Sequence, residues 1–545
     1  MNTPGTDHNI SEEKTGILLE KPVSLLFREI KIQPKPFFLA LAKAAVKGVA
    51  LKLDDALVEI GDALAASGLG EEPGHVAWTL IYGALVRTTM ELVRDAPDLF
   101  SQGETPTDNE LKTICADLEK GLLAAKIRIH ADFLEHPEKL AFLDTFQPIL
   151  SQWLQGLGSP PMQARALANR LPHKFPLALH EQWGQAPEHY AVLEKALETP
   201  FTRADQQARQ WLQYHAWLRA ETHTRMFAEA FGLASVYVPL CAYYEEDIQV
   251  GPEDRPGDAD LQTGKEKKRK VVELHTELVR WMANYNPKDT VRVVSGGPGS
   301  GKSSFAKMFA VAATEKLRVR VLFVPLHLFD PQADLIRAVA DFVAKNRYLD
   351  GSPLDASDGE DRLLVIFDGL DELAMQGKAA AEVAQNFVEE VLRQAAYFSA
   401  QGLRRQFLIT GRDLAVQANL SRLRGPRQHL QVLPYFTSKE ERGVYDDPHK
   451  LLEDDRRQTW WRRYGEASGQ EFQGLPKELD THNLMEITRQ PLLNYLVALS
   501  YRRGELDFSG QTTLNEIYAD LLKAVYERQW EGGRQHTGTG ELNKN

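Results

Sequence analysis

The run Gly296-Gly297-Pro298-Gly299-Ser300-Gly301-Lys302-Ser303 constrains this chain more than any other stretch, because it satisfies G-x-x-x-x-G-K-[ST] at every fixed position. Such a loop works in one setting only: a buried strand must enter it and a helix must leave it. Successive backbone N–H groups then converge on an anion, and the helix N-terminus adds its partial positive charge. Both neighbours are present. Val291-Arg292-Val293-Val294 reads as a buried strand, and Ser304-Phe305-Ala306-Lys307-Met308-Phe309 opens a helix. Lys302 is placed to reach the β- and γ-phosphates, and the Ser303 hydroxyl to hold Mg²⁺. The chain is expected to bind a nucleoside triphosphate, as ATP or ADP with Mg²⁺.

The sequence around the loop alternates. Helices are expected at 271–283, 331–346 and 379–400, and apolar strands at 319–324, 363–367, 406–410 and 430–433. Continuous apolar strands separated by helices predict an α/β fold, a P-loop NTPase parallel sheet flanked by helices. Upstream, apolar residues recur at helical spacing: Trp78, Ile81, Leu85, Thr88 and Leu92; Leu111, Ile114, Cys115, Leu118 and Leu122; Phe142, Phe146, Ile149, Leu150 and Trp153. Residues 1–244 therefore read as an N-terminal all-helical region, an effector or adaptor. The run 235–240 reads as either a strand or an extended connector. The acidic, Pro/Gly-rich and then basic stretch 245–270 reads as a linker. The nucleotide-binding domain is placed at 271–437, a C-terminal helical subdomain at 438–531, and a disordered polar tail at 532–545.

Composition narrows the function. A net charge of −12 argues against wholesale wrapping of nucleic acid and leaves only the local basic run Lys265-Glu266-Lys267-Lys268-Arg269-Lys270, read as a solvated face. Cys115 and Cys241 are the only two cysteines, so neither a disulfide framework nor a thiolate metal site is available, and both read as core residues. The N-terminus lacks a basic-then-apolar secretory pattern, and Lys43, Lys47 and Lys52 interrupt the most apolar stretch, 37–53. No membrane span and a cytoplasmic location are expected. Glu29-Ile30-Lys31 reads as a surface charge pair rather than part of a nuclease, and His215 and His223 as packing residues.

Two further segments carry chemistry. In Leu363-Leu364-Val365-Ile366-Phe367-Asp368-Gly369-Leu370-Asp371-Glu372, a hydrophobic strand delivers Asp368 to its C-terminal edge, where a carboxylate can hold Mg²⁺. Asp371 and Glu372, one tight turn on, can orient or deprotonate the attacking water. Phe407-Leu408-Ile409-Thr410-Gly411-Arg412 ends another strand in a hydroxyl and a guanidinium. Arg412 either senses or neutralises the γ-phosphate or pairs with a surface carboxylate.

These three elements, in this order, resemble the NACHT family of signal-transducing ATPases with numerous domains, the STAND class of P-loop NTPases. The D-G-h-D-E form at Asp368 to Glu372 and the Thr410-Gly411-Arg412 ending carry the likeness, which spans roughly 271–530. Val236-Tyr237-Val238-Pro239-Leu240 is similar to the segment preceding NACHT modules in bacterial proteins. Ile487-Thr488-Arg489-Gln490-Pro491-Leu492 is similar to the segment whose proline packs on the adenine ring; Pro491 also suits an ordinary helix start. The resemblance implies a nucleotide-controlled switch, closed with ADP and homo-oligomeric with ATP, slow in hydrolysis, coupled to an unknown trigger and an unknown effector. In bacteria it implies anti-phage defence, with a phage component as one class of trigger. Family members normally continue into a winged-helix domain and a repeat-rich sensor, and this sequence stops at Asn545 without either. The competing reading is an AAA+-like mechanical ATPase or an ATP-dependent transcription regulator. A nucleotide-binding scaffold without turnover is a third.

Overall fold

Helical spacing of apolar residues is realised first in the N-terminal unit of the computed structural model. The structure describes residues 17–19, 42–43, 73–100, 106–124, 127–129, 133–185, 187–197, 206–226, 229–250, 264–331, 334–346, 348–355, 362–373, 380–417, 423, 425, 427–504, 506, 508, 513, 515–520 and 522–523. The chain divides into two units, one within Met1–Ser235 with Tyr348–Asp350 and Ala467–Gly469, the other formed by the rest.

In the first unit β1 (Ile17–Leu19) precedes α1 (Pro73–Arg94) and α2 (Asp108–Ala124), and β2 (Ile127–Ile129) precedes α3 (Ala141–Gly156). Then come α4 (Pro161–Ala168), α5 (Leu171–Gln185), α6 (Ala191–Leu197) and α7 (Gln206–Thr222). Ile81, Leu85 and Leu92 of α1 are fully buried, as are Phe146, Leu150 and, nearly, Trp153 of α3. Thr88 shares the buried face of α1 because its hydroxyl donates to the Ala84 carbonyl at 2.7 Å. The region is not all-helical: β1 and β2 form an antiparallel ribbon with Ile17 opposite Ile129. Strands of three residues are too short to display an alternating pattern. His223 is a packing residue, its ring stacked on His173 at 3.6 Å between centroids. Burial pushes His173 down to about 4 and His223 to about 2, so both stay neutral. Cys115 is buried, as expected of a core residue. Glu29-Ile30-Lys31, most of 37–53 and the tail 532–545 lie outside the described residues.

The second unit opens on β3 (Cys241–Val250), β4 (Gly264–Glu273), α8 (Leu274–Ala283), β5 (Val291–Ser295) and α9 (Lys302–Leu317). It continues through β6 (Arg320–Pro325), α10 (Leu335–Lys345), β7 (Leu363–Asp368), α11 (Ala380–Ala400), β8 (Arg405–Gly411), β9 (His429–Val432) and β10 (Tyr445–Asp446). One eight-stranded sheet results, in the order β10-β4-β3-β9-β5-β8-β7-β6. From β9 to β6 all neighbours are parallel. Every residue of β5, β7 and β8 is buried, which is why those strands read as mostly apolar runs.

The stretch 245–270 requires correction. Its two ends are strands: β3 and β4 pair antiparallel from Cys241 opposite Glu273 to Val250 opposite Gly264, and β3 also pairs with β9. The acidic run and the basic run, which separately look like solvated linker, face each other. Glu245 stands opposite Arg269, Glu246 opposite Lys268 and Asp247 opposite Lys267. Lys267 reaches Glu245 at 2.9 Å and Lys270 pairs with Glu246. Cross-strand opposite charges are compatible with a sheet, although exposed pairs add little stability. The sheet is consequently mixed rather than wholly parallel, and the second unit begins at Val236, ahead of the expected boundary at 244. Residues 237–240 form the connector rather than a strand, and Cys241 is buried, its thiol pushed up to about 12.

After the sheet the chain returns to helices as expected, with α12 (Arg456–Ser468), α13 (His482–Thr488) and α14 (Pro491–Arg503). Arg457 of α12, 1 % exposed, ties that helix to α13. Its guanidinium donates to Asp455 at 2.8 Å, Asp480 at 3.2 Å and the Thr488 hydroxyl at 3.1 Å, and lies over the Phe436 ring. Removing a buried ion-pair partner usually costs 3–5 kcal/mol, but Asp480 is half exposed and can be rehydrated. Arg457→Ala is therefore expected to destabilise this unit by about 2 kcal/mol, read by urea unfolding followed through Trp460 and Trp461. Among the described residues, no helix is long and apolar enough to cross a membrane.

Candidate nucleotide site

Strand β5 ends at Ser295 and the phosphate loop leaves its C-terminal edge. Gly301 caps α9 with φ of 87°, a left-handed conformation that only glycine adopts without strain. Lys302 opens the helix and folds back along the loop. Its Nζ donates to the carbonyls of Gly296 at 2.7 Å and Gly297 at 2.9 Å, and contacts Ser300 Oγ at 3.3 Å. Ser303 and Ser304 follow in the first turn, with Ser303 and the loop's Pro298 exposed.

Asp368 stands at the tip of β7, which is not the neighbour of β5: strand β8 runs between them. That order gives Thr410 a role the sequence reading did not assign. Thr410 lies level with Val294 of β5, and its neighbour Ile409 lies level with Phe367 of β7. The Thr410 hydroxyl donates to Asp368 Oδ1 at 2.5 Å and accepts from the Gly369 N–H at 3.1 Å. A buried threonine thus orients a buried carboxylate. Its signal was a hydroxyl at a strand tip, meaningful only once the strand order is known. Thr410→Val keeps the shape and removes the donor, and is expected to weaken Mg²⁺-dependent nucleotide affinity about ten-fold. Titrating affinity against Mg²⁺ concentration would check this.

The two remaining acidic residues are held from opposite sides. Asp371 accepts from Arg412 twice, from Nε at 2.8 Å and from the backbone N–H at 3.1 Å. The carboxylate that Arg412 pairs with therefore belongs to the site itself rather than to the surface. Glu372 Oε2 lies 3.0 Å from Nδ1 of His327, a residue that follows β6 and carries no motif. Burial lowers the Lys302 pKa, opposed by the charges of Asp371, Asp413 and Asp368. Those carboxylates and the lysine therefore share one electrostatic site. Asp413, also unassigned from sequence, opens a short helix beyond β8, and its Oδ1 is buried without an aligned donor.

The C-terminal helices reach the loop too. Pro491 is a helix-start proline, and a Cβ on Gly301 would sit 3.4 Å from its ring. The N–H of Leu492, one of the orphan donors of the first turn, donates to the Gly299 carbonyl at 3.1 Å. Of the two readings of Pro491, the helix start is the one seen, and that start is seated on the phosphate loop.

The residue set fits a magnesium nucleotide: amide-lined loop, lysine, exposed serine hydroxyl and oriented aspartate, all hard oxygen or cationic partners. No group of three or more His, Cys, Asp or Glu among the described residues could hold a metal alone. A cation here would need Ser303 and substrate oxygens beside Asp368.

Two family models match. NACHT N-terminal helical domain 3 covers residues 28–233, and the NACHT domain covers 290–443. None of the curated proteins compared matches the chain. The second match contains the phosphate loop, both acidic turn residues, Thr410 and Arg412, and the first contains helices α1 to α7. With its motifs, its mostly parallel sheet and both matches in the family's order, the chain belongs to the NACHT-domain STAND NTPases.

Proposed function

We propose that this chain is an ATP-dependent signalling switch that hydrolyses ATP slowly to limit the lifetime of its active state. The convergence of Lys302, Asp368, Asp371 and Arg412 at adjacent strand tips carries the reading. In it, the loop amides from Gly296 to Ser303 cradle the phosphates and Lys302 leaves its carbonyl partners to meet them. Ser303 and the Thr410-oriented Asp368 hold Mg²⁺, which supplies charge neutralisation when bound. Glu372 serves as base for the attacking water, and Asp371 with Arg412 stands beside the γ-phosphate. Pro491 and Leu492 transmit the state of the loop to the C-terminal helices, since both touch it.

A switch from about 1:99 to 99:1 needs roughly 5.5 kcal/mol of differential binding. Phosphate and Mg²⁺ contacts supply part of that and assembly of ATP-bound copies the rest. The family resemblance alone supports homo-oligomerisation, a trigger-gated output and a role in anti-phage defence. Denaturing the purified chain and identifying the released nucleotide tests the reading. Bound ADP with slow turnover supports a switch; an empty site with fast steady turnover overturns it in favour of a mechanical ATPase.

A further inference from the structure

The strand order places β6 beyond β7 from the phosphate loop's own strand, at the edge of the sheet. His327 lies in the single turn Leu326–Leu328 that follows β6. The adjacent carboxylates of the acidic turn are drawn to opposite sides of β7. Asp371 goes toward β8, where Arg412 takes both its oxygens, and its charge acts on Lys302. Glu372 goes toward β6. Its carboxylate folds back over Gly369, where a Cβ would lie 2.9 Å from Glu372 Cδ and where φ is 92°. Its Oε2 is buried, and the partner it has is Nδ1 of His327 at 3.0 Å, off the line of an ideal hydrogen bond. A contact that is off-axis, with an imidazole 57 % exposed, is weak enough to release.

We propose that His327 is a positioning residue that latches Glu372 on the β6 side, so that hydrolysis waits until the contact opens. The inference rests on the reading of Glu372 as the base. A glycine at 369 is part of the same device, because any side chain there would occupy the place of the folded-back carboxylate.

The test uses the full chain, with steady-state ATP hydrolysis at saturating ATP and Mg²⁺ and, in parallel, binding of a fluorescent ATP analogue. His327→Ala is expected to raise kcat about three- to ten-fold, the worth of one modest contact, with nucleotide affinity unchanged. His327→Asn, whose amide nitrogen falls near the place of Nδ1, returns kcat to the wild-type range. The gain disappears in the His327→Ala/Glu372→Gln double variant. Independently of activity, thermal melts without nucleotide should show non-additive Tm changes for the two single and the double variant. A lower or unchanged kcat in His327→Ala, a gain that survives Glu372→Gln, or additive melts would overturn the latch. If wild-type protein and Lys302→Ala bind ATP equally poorly, the nucleotide reading falls instead, and the melts still decide whether the contact exists.

Discussion

Lys302→Ala is expected to weaken ATP binding by about 100-fold, the loss of charge-assisted hydrogen bonds to the phosphates. The ammonium that would meet the β- and γ-oxygens is gone. The bonds Lys302 makes to the carbonyls of Gly296 and Gly297 in the structure are given up when nucleotide binds, so their loss does not add to the effect. Lys302→Arg should rescue poorly, because a planar guanidinium cannot place one compact charge between those two carbonyls and Ser300. Isothermal titration with ATP and ADP, with thermal melts to show that each variant is folded, provides the check. Wild-type affinity in Lys302→Ala would remove the site.

Glu372→Gln should leave nucleotide affinity near wild type while lowering turnover by about 100-fold or more, since an amide cannot accept the proton of the attacking water. The neighbouring residue should behave differently. Asp371 is bound to Arg412 at two points, so its replacement disturbs placement of the guanidinium as well as a charge. Single-turnover hydrolysis with pre-bound nucleotide separates the two. A Glu372→Gln chain that hydrolyses at the wild-type rate would move the base elsewhere, with Asp371 and then Asp413 the acidic residues whose charges act most on Lys302.

Local chemistry was legible wherever function depends on consecutive residues. The glycine spacing from Gly296 to Gly301, the carboxylate ending Leu363–Asp368 and the Gly411-Arg412 ending are each put at a strand's C-terminal end without tertiary information, because backbone conformation and strand direction alone place them. Helical periodicity likewise marked the buried faces of Pro73–Arg94 and Ala141–Gly156. What misled was a charge run judged by itself. The hairpin Cys241–Val250 with Gly264–Glu273 looks like linker because each strand's polarity is satisfied by the other, across a segment of intervening chain.

The sequence by itself determined that a phosphate-loop motif, a strand-tip aspartate and an acidic turn occur on buried strands flanked by helices, since spacing and hydrophobic period are properties of neighbouring residues. Only the tertiary structure decided their partners. Thr410 reaches Asp368, Arg412 takes Asp371, His327 meets Glu372 and Leu492 closes on Gly299 because strand order and helix docking bring residues 42, 41, 45 and nearly 200 positions apart within hydrogen-bond distance. Contacts between residues so far apart leave no periodicity in the chain, and the energies that choose among them come from burial summed over the whole sheet.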